Sequence, residues 1–304
     1  MDALAIIDQL DCPKGLPRRA LAMASERREE LAPLLIAEIQ DFLLEDPDER
    51  VPSDALFFIF HLLGSWGETA AYRPLAALLR VSNDELEWIL GDATTETSHR
   101  VMAAVFDGDP QPLHDIIFDK AADEFVRSRM FETLAMLVHQ QKLDRDLVAD
   151  FLRRSFDDLQ DEPGNFVWEG WQSAIAMLGL DELTPLVKLA FEQELVEPHI
   201  CEFRHFEEDL AYAKAGGSLS DWQGSSCLPF GDVIEELSWC AAFGYAGERE
   251  ESLSEILDRD EPAEPAANPH RNVGRNDPCP CGSGKKFKRS EEHTSELQSQ
   301  NRIS

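Results

Sequence analysis

Two cysteines in the last tenth of the chain are the residues best equipped for chemistry. Cys279 and Cys281 flank Pro280 and lead into Gly282-Ser283-Gly284-Lys285-Lys286-Phe287-Lys288. Two thiolates one residue apart can reach a single tetrahedral zinc ion, the proline stiffens the loop, and the glycines let the backbone wrap the ion. Neighbouring lysines favour the thiolate form that a metal needs. A segment this short cannot fold on apolar burial alone, so the metal would supply its folding energy. Gly282-Ser283-Gly284-Lys285 also invites a phosphate-loop reading, which fails. Cys279 takes the first glycine position, and Lys286 stands where a Ser or Thr would hold magnesium.

The densest group of candidate ligands elsewhere is His199-Ile200-Cys201 with His205, Glu208 and Asp209. On a helix beginning after Pro198, His205 and Asp209 share a face at i, i+4. A capped, solvated acidic helix accounts for the pattern, and a metal or catalytic site is the alternative. Acidic runs such as Asp157-Asp158, Glu207-Glu208-Asp209 and Glu235-Glu236 are too numerous for one to stand out as an acid–base couple, and read as solvated faces. Cys12, Cys201, Cys227 and Cys240 lack the setting of a nucleophile and read as buried structural thiols. Trp66, Trp88, Trp168, Trp171, Trp222 and Trp239 mostly fall at helical spacing among apolar residues and read as core. No catalytic constellation emerges. The chain reads as a non-enzyme.

The elements that carry these residues form a repeat. Pro-Leu pairs occur at Pro33-Leu34, Pro74-Leu75, Pro112-Leu113 and Pro185-Leu186, with the prolines 41, 38 and 73 residues apart. At the midpoint of the long gap, Asp146-Leu147 opens a helix without the proline, and Pro229-Phe230 leading to Val233 is a looser sixth copy. Proline suits the first turn of a helix, where its missing N–H has no partner to lose. Each copy therefore marks the second helix of a pair. First helices are expected at 54–63, 97–106, 123–140 and 166–178, with Gly64 and Gly179 near two of their ends. Helix pairs recurring every ~35–45 residues predict an all-α fold, a HEAT-like α-solenoid whose neighbouring repeats bury each other's apolar stripes.

Composition agrees. Of 304 residues 43% are hydrophobic, enough for a core, and the 29% that are charged sum to −31. Leu, Ala, Glu and Phe outweigh the β-branched residues, which favours helix. The charge is uneven: 21 Lys plus Arg against 55 Asp plus Glu give −34 over 1–269, while six basic residues against one Asp give +5 over 270–289. A body this acidic repels DNA and anionic membrane. The longest apolar run, Ala55 to Leu63, is interrupted by His61 and is too short to cross a bilayer. The first residues lack a signal-peptide pattern, and the scattered cysteines are no disulfide framework, so a cytoplasmic protein is expected. The organisation read from these patterns is a helical repeat domain over 1–257, a Pro-rich acidic linker over 258–273, a metal-motif tail over 274–289 and a distinct remainder over 290–304.

The fifteen positions from Gly274 to Lys288 closely resemble the SEC-C motif, named for the C-terminus of the SecA translocation ATPase and found as a small tail on other bacterial proteins. The resemblance implies that a further basic residue, a Cys, and a Cys or His should follow, the four ligands holding one zinc. Arg289 supplies the basic residue, but Ser290 and Glu291 stand in the two ligand positions, and His293 falls at a wrong spacing. Residues 289–299 look like read-through of a sequencing adapter, so native sequence is expected to end near Lys288. Zinc is thus expected in the intact motif and not stably in this chain. The helical body resembles a bacterial family of unknown function, number 1186, in stretches such as Phe57-Phe58-Ile59-Phe60-His61-Leu62-Leu63-Gly64 and Glu236-Leu237-Ser238-Trp239-Cys240. That family name implies no activity. The expected function is a protein-interaction scaffold with an auxiliary zinc-binding tail that contacts a ribosome or chaperone. The alternatives are an enzyme with a dispersed site near His199 to Asp209, and a structural protein without a specific partner.

Overall fold

Several helices begin where a side-chain oxygen accepts the first orphan backbone N–H groups. Asp123 accepts from Phe125 and Val126, Asp144 from Asp146 and Leu147, and Asp232 from Ile234 and Glu235. Ser82 and Glu85 form a reciprocal capping box. In a computed structural model these and other signals give α1 (Ala3–Leu10), α2 (Arg18–Glu26), α3 (Arg28–Leu44), α4 (Ala55–Trp66), α5 (Tyr72–Leu78), α6 (Asn83–Leu90), α7 (Ala93–Glu96) and α8 (Ser98–Val105). They continue with α9 (Gln111–Phe118), α10 (Glu124–His139), α11 (Arg145–Asp158), α12 (Val167–Met177), α13 (Thr184–Glu192), α14 (Phe203–Lys214) and α15 (Val233–Leu237). The structure describes residues 3–240 apart from 12, 14, 48, 198, 220–221, 223–226 and 239. Among the described residues there is no β-strand, and the fold is all-α.

The helices stack in two rows. Helices α2, α4, α8, α10, α12 and α14 each pack on the next, and α3, α5, α9, α11 and α13 follow the first five in the chain as their partners. The four first helices expected from the sequence are α4, α8, α10 and α12, to within three residues at each end. Pro112 and Pro185 occupy the second position of α9 and α13, and Pro74 the third of α5. Pro33 is a correction: it sits inside α3 at its sixth residue. The helix starts early because Arg28-Glu29-Glu30-Leu31-Ala32 are strong helix formers and Arg27 pairs with Glu30 at i, i+3, so the proline merely deprives the Glu29 carbonyl of its N–H partner. The looser copy at Pro229 also shifts, since α15 begins at Val233 behind its Asp232 cap.

Gly64 does not end a helix. It lies buried within α4, where an added Cβ would come within 2.8 Å of the Val101 side chain on α8, and α4 ends at Gly67 with φ +59°. Gly170 plays the same part on α12, where an added Cβ would run into the Ser128 backbone on α10. Both glycines let the first row close up.

Between successive helix pairs the polar bonds span similar distances along the chain. Arg50 reaches Glu85, Arg73 reaches Asp107 and Asp109, Arg80 reaches Asp119, and Arg127 reaches Glu162, spans of 34 to 39 residues. Tyr72 donates to the Asp109 carbonyl, Lys142 to that of Ala103 and Arg145 to that of Leu178, spans of 33 to 39. Each helix pair is thus bonded to an adjacent one. Trp66, Trp168, Trp171 and Trp222 are core as expected, but Trp88 is 50% exposed on α6, a helix inserted between two pairs.

Candidate functional site

Cys279, Cys281, the linker and the 274–304 tail lie outside the described residues, as do Cys12, Pro198 and Trp239. The described part offers two places where polar chemistry gathers.

The first is an open groove of about 830 Å³ between α9 and α11. Its floor is aromatic: the His114 ring stacks on Phe151 at 3.8 Å and 10°, and Phe118 meets Phe151 edge-on at 5.7 Å. Burial holds His114 below its ordinary pKa, so the ring is neutral at pH 7 and stacks without a charge to desolvate. The rim is charged. Arg80 pairs with Asp119 and Lys120 with Asp161, while Arg154 and Asp158 line the α11 wall. The groove is open to solvent. It gathers no nucleophile beside a base.

The second is the ligand-rich region foreseen near His199. His199 is exposed, whereas His205, Cys201 and Asp209 gather at the start of α14. His205 Nδ1 accepts the Glu202 backbone N–H, so this histidine serves as a helix cap. Sequence reasoning missed the α12 side of the cluster. Gln172, 4% exposed, donates to Glu169 Oε2 at 3.3 Å and to the Cys201 sulfur at 3.9 Å. Burial pushes the Glu169 carboxyl up to about 7 against the hydrogen bonds from Gln172 and Cys201. Burial, then the charges of Glu169 and Asp209, push the Cys201 thiol up to about 12. Asp209 is raised by burial and by Glu208. A thiol held that high is no nucleophile at neutral pH. Among the described residues no three His, Cys, Asp or Glu side chains converge to hold a metal. No signal in the sequence marks Glu169, because its burial is set by the loop between α13 and α14.

A family model described as "Protein of unknown function (DUF1186)" matches residues 1–244, well over half of the chain. The chain belongs to the DUF1186 family. A SEC-C motif matches residues 275–289, so this DUF1186 chain carries both of the resemblances read from its sequence. The protein translocase subunit SecA of Syntrophobacter fumaroxidans is 48% identical over 175 residues, covering 52% of the DUF1186 chain and 21% of that SecA. SecA of Trichlorobacter lovleyi is 62% identical over 34 residues and SecA of Bordetella petrii 67% over 33, each covering 4% of the SecA chain. The chain thus spans about a fifth or less of these curated relatives. No solved structure matches the DUF1186 chain. No described helix is long and apolar enough to cross a membrane.

Proposed function

We propose that this DUF1186 chain is a non-enzymatic protein-interaction scaffold, a HEAT-like stack of helix pairs with an auxiliary zinc-binding SEC-C tail. One observation carries the reading: the groove between α9 and α11 is open to solvent, with an aromatic floor and a charged rim. Such a surface suits an extended or helical protein segment, whose apolar side chains find His114 and Phe151 and whose charges find the rim. The basic tail adds a second contact, to a ribosome or a chaperone with an acidic surface, and the acidic body disfavours DNA and membrane. Cys279 and Cys281 would supply two of the four zinc ligands.

An enzyme with a dispersed site near His199 to Asp209 is the second reading, favoured by the Glu169 carboxyl held at about 7, where an acid–base group works best. The two readings part in a pull-down from bacterial lysate. The full chain should retain a discrete protein partner that His114→Ala with Arg154→Glu loses by about 10-fold or more, and that Glu169→Gln retains. Loss with Glu169→Gln and not with the groove variant, together with small-molecule turnover, would establish the enzyme reading.

A further inference from the structure

The polar bonds between helix pairs reach an adjacent pair on either side, but Arg100 on α8 reaches 128 to 136 residues ahead. Its Nε–H donates to the Leu228 carbonyl at 2.8 Å and Nη2–H to the Pro229 carbonyl at 3.0 Å. Nη1 and Nη2 grip the Glu236 carboxylate in two bonds of 2.8 and 2.6 Å, and the guanidinium lies 5.3 Å over the Phe230 ring. Phe230 in turn faces the buried His61 ring of α4 at 5.7 Å, and α15 packs on α2 and α4.

The segment these contacts hold has the form of a docked peptide. Phe230 is buried in the extended stretch ahead of the Asp232 cap, and Val233, Ile234 and Leu237 are buried on one side of the short helix that follows. Glu235 faces solvent and Asp232 caps the helix. A helix of five residues has no stability of its own, so its order comes from the site it occupies. In a stack whose parts touch mainly their neighbours, a segment held from several repeats away behaves as a ligand carried on the same chain.

We propose that the seam formed by α2, α4 and α8 around Arg100 is a peptide-recognition site, occupied in cis by residues 228–237 and able to take in trans an acidic segment of a partner protein that places an aromatic anchor ahead of a short helix. Arg100 sets the charge of that partner. A buried guanidinium that loses Glu236 needs another carboxylate in the same place, just before the last apolar anchor. Phe230 sets its first anchor, a ring wedged between His61 and the cation. This site uses none of the residues of the α9–α11 groove, so either can fail without the other.

The test uses the full chain and a fluorescein-labelled synthetic peptide with the sequence of residues 227–238. A Phe230→Ala, Glu236→Ala chain, loosened in its own segment, should bind the peptide with a Kd of about 1–100 μM. The unaltered chain should bind it at least about 10-fold more weakly, and adding Arg100→Ala should abolish binding. Absence of binding to the loosened chain, equal binding with Arg100→Ala, or dimers that exchange their own segments in place of peptide binding would overturn the proposal. Hydrogen exchange on the unaltered chain keeps the test valid should the loosened chain misfold. Amides of 234–237 should exchange at least about 100-fold faster than those of α4 and α8, through a local opening. Exchange of all three together, only by global unfolding, would overturn the proposal equally.

Discussion

At the residue scale two strongly perturbed side chains, His61 and Glu169, pull stability in opposite directions with pH. His61 is fully buried, and its Nδ1–H donates to the Phe57 carbonyl while Nε2 faces the Thr97 hydroxyl. Burial lowers its pKa to about 4, against a backbone bond that raises it. The unfolded chain takes up the proton near 6.5 and the folded one only near 4, so stability should fall by about 3 kcal/mol as the pH drops through that window. Glu169 has the opposite sign. Its folded pKa lies near 7 and its unfolded one near 4.5, so the stability it contributes is full below 4.5 and is lost, about 3 kcal/mol of it, as the pH rises to 7. Between 4.5 and 6.5 the two slopes should nearly cancel. Urea unfolding of Glu169→Gln across pH 4 to 8 should show stability rising more steeply towards neutrality than in the parent, as the His61 slope is no longer opposed by Glu169. A Glu169→Gln profile that matches the parent would contradict the placement of this carboxyl. None of this was legible in the sequence: His61 stands out only as an interruption of an apolar run, and Glu169 is one of many acids until the fold brings Gln172 and Cys201 to it.

At the element scale the sequence spoke clearly wherever one helix carried its own punctuation. The expected helices at 54–63, 97–106, 123–140 and 166–178 became α4, α8, α10 and α12 because their apolar periodicity and their Asp123 and Gly179 boundaries agree. Pro33 and Gly64 misled for one reason: a residue that usually ends or begins a helix can sit inside one when its neighbours favour helix or a facing helix needs the space. Gly170 makes this measurable. An added methyl on α12 would meet the Ser128 backbone, which cannot rotate away as a side chain can. Gly170→Ala should therefore destabilise the chain by about 3 kcal/mol, at the upper end of overpacking costs, read as a lowered urea midpoint at unchanged slope. A change under about 0.5 kcal/mol, the size expected of an unconstrained surface site, would mean that the first row is not packed as closely as described. The docking of 228–237 was illegible for another reason, since nothing local links Arg100 to a carboxylate 136 residues away.

At the scale of the whole molecule, residues 1–269 are strongly acidic and residues 270–289 basic. Metal binding tests the tail. With Cys279 and Cys281 alone the chain should bind zinc weakly, whereas a chain with two further ligands placed after Arg289 should bind one zinc and protect both thiols from alkylation. Equal stoichiometry and affinity in the two chains would contradict the reading of Ser290 and Glu291 as replacements for native ligands. The stack is tested by what it touches. A photo-crosslinking amino acid placed at Gln111, on the groove wall, should yield discrete protein adducts in living bacteria, and His114→Ala should abolish them. The same probe at Glu208, on the exposed face of α14, should yield none. If Gln111 gives no adduct, or both positions give the same smear, the groove between α9 and α11 is not where this protein meets its partner and the scaffold reading is contradicted.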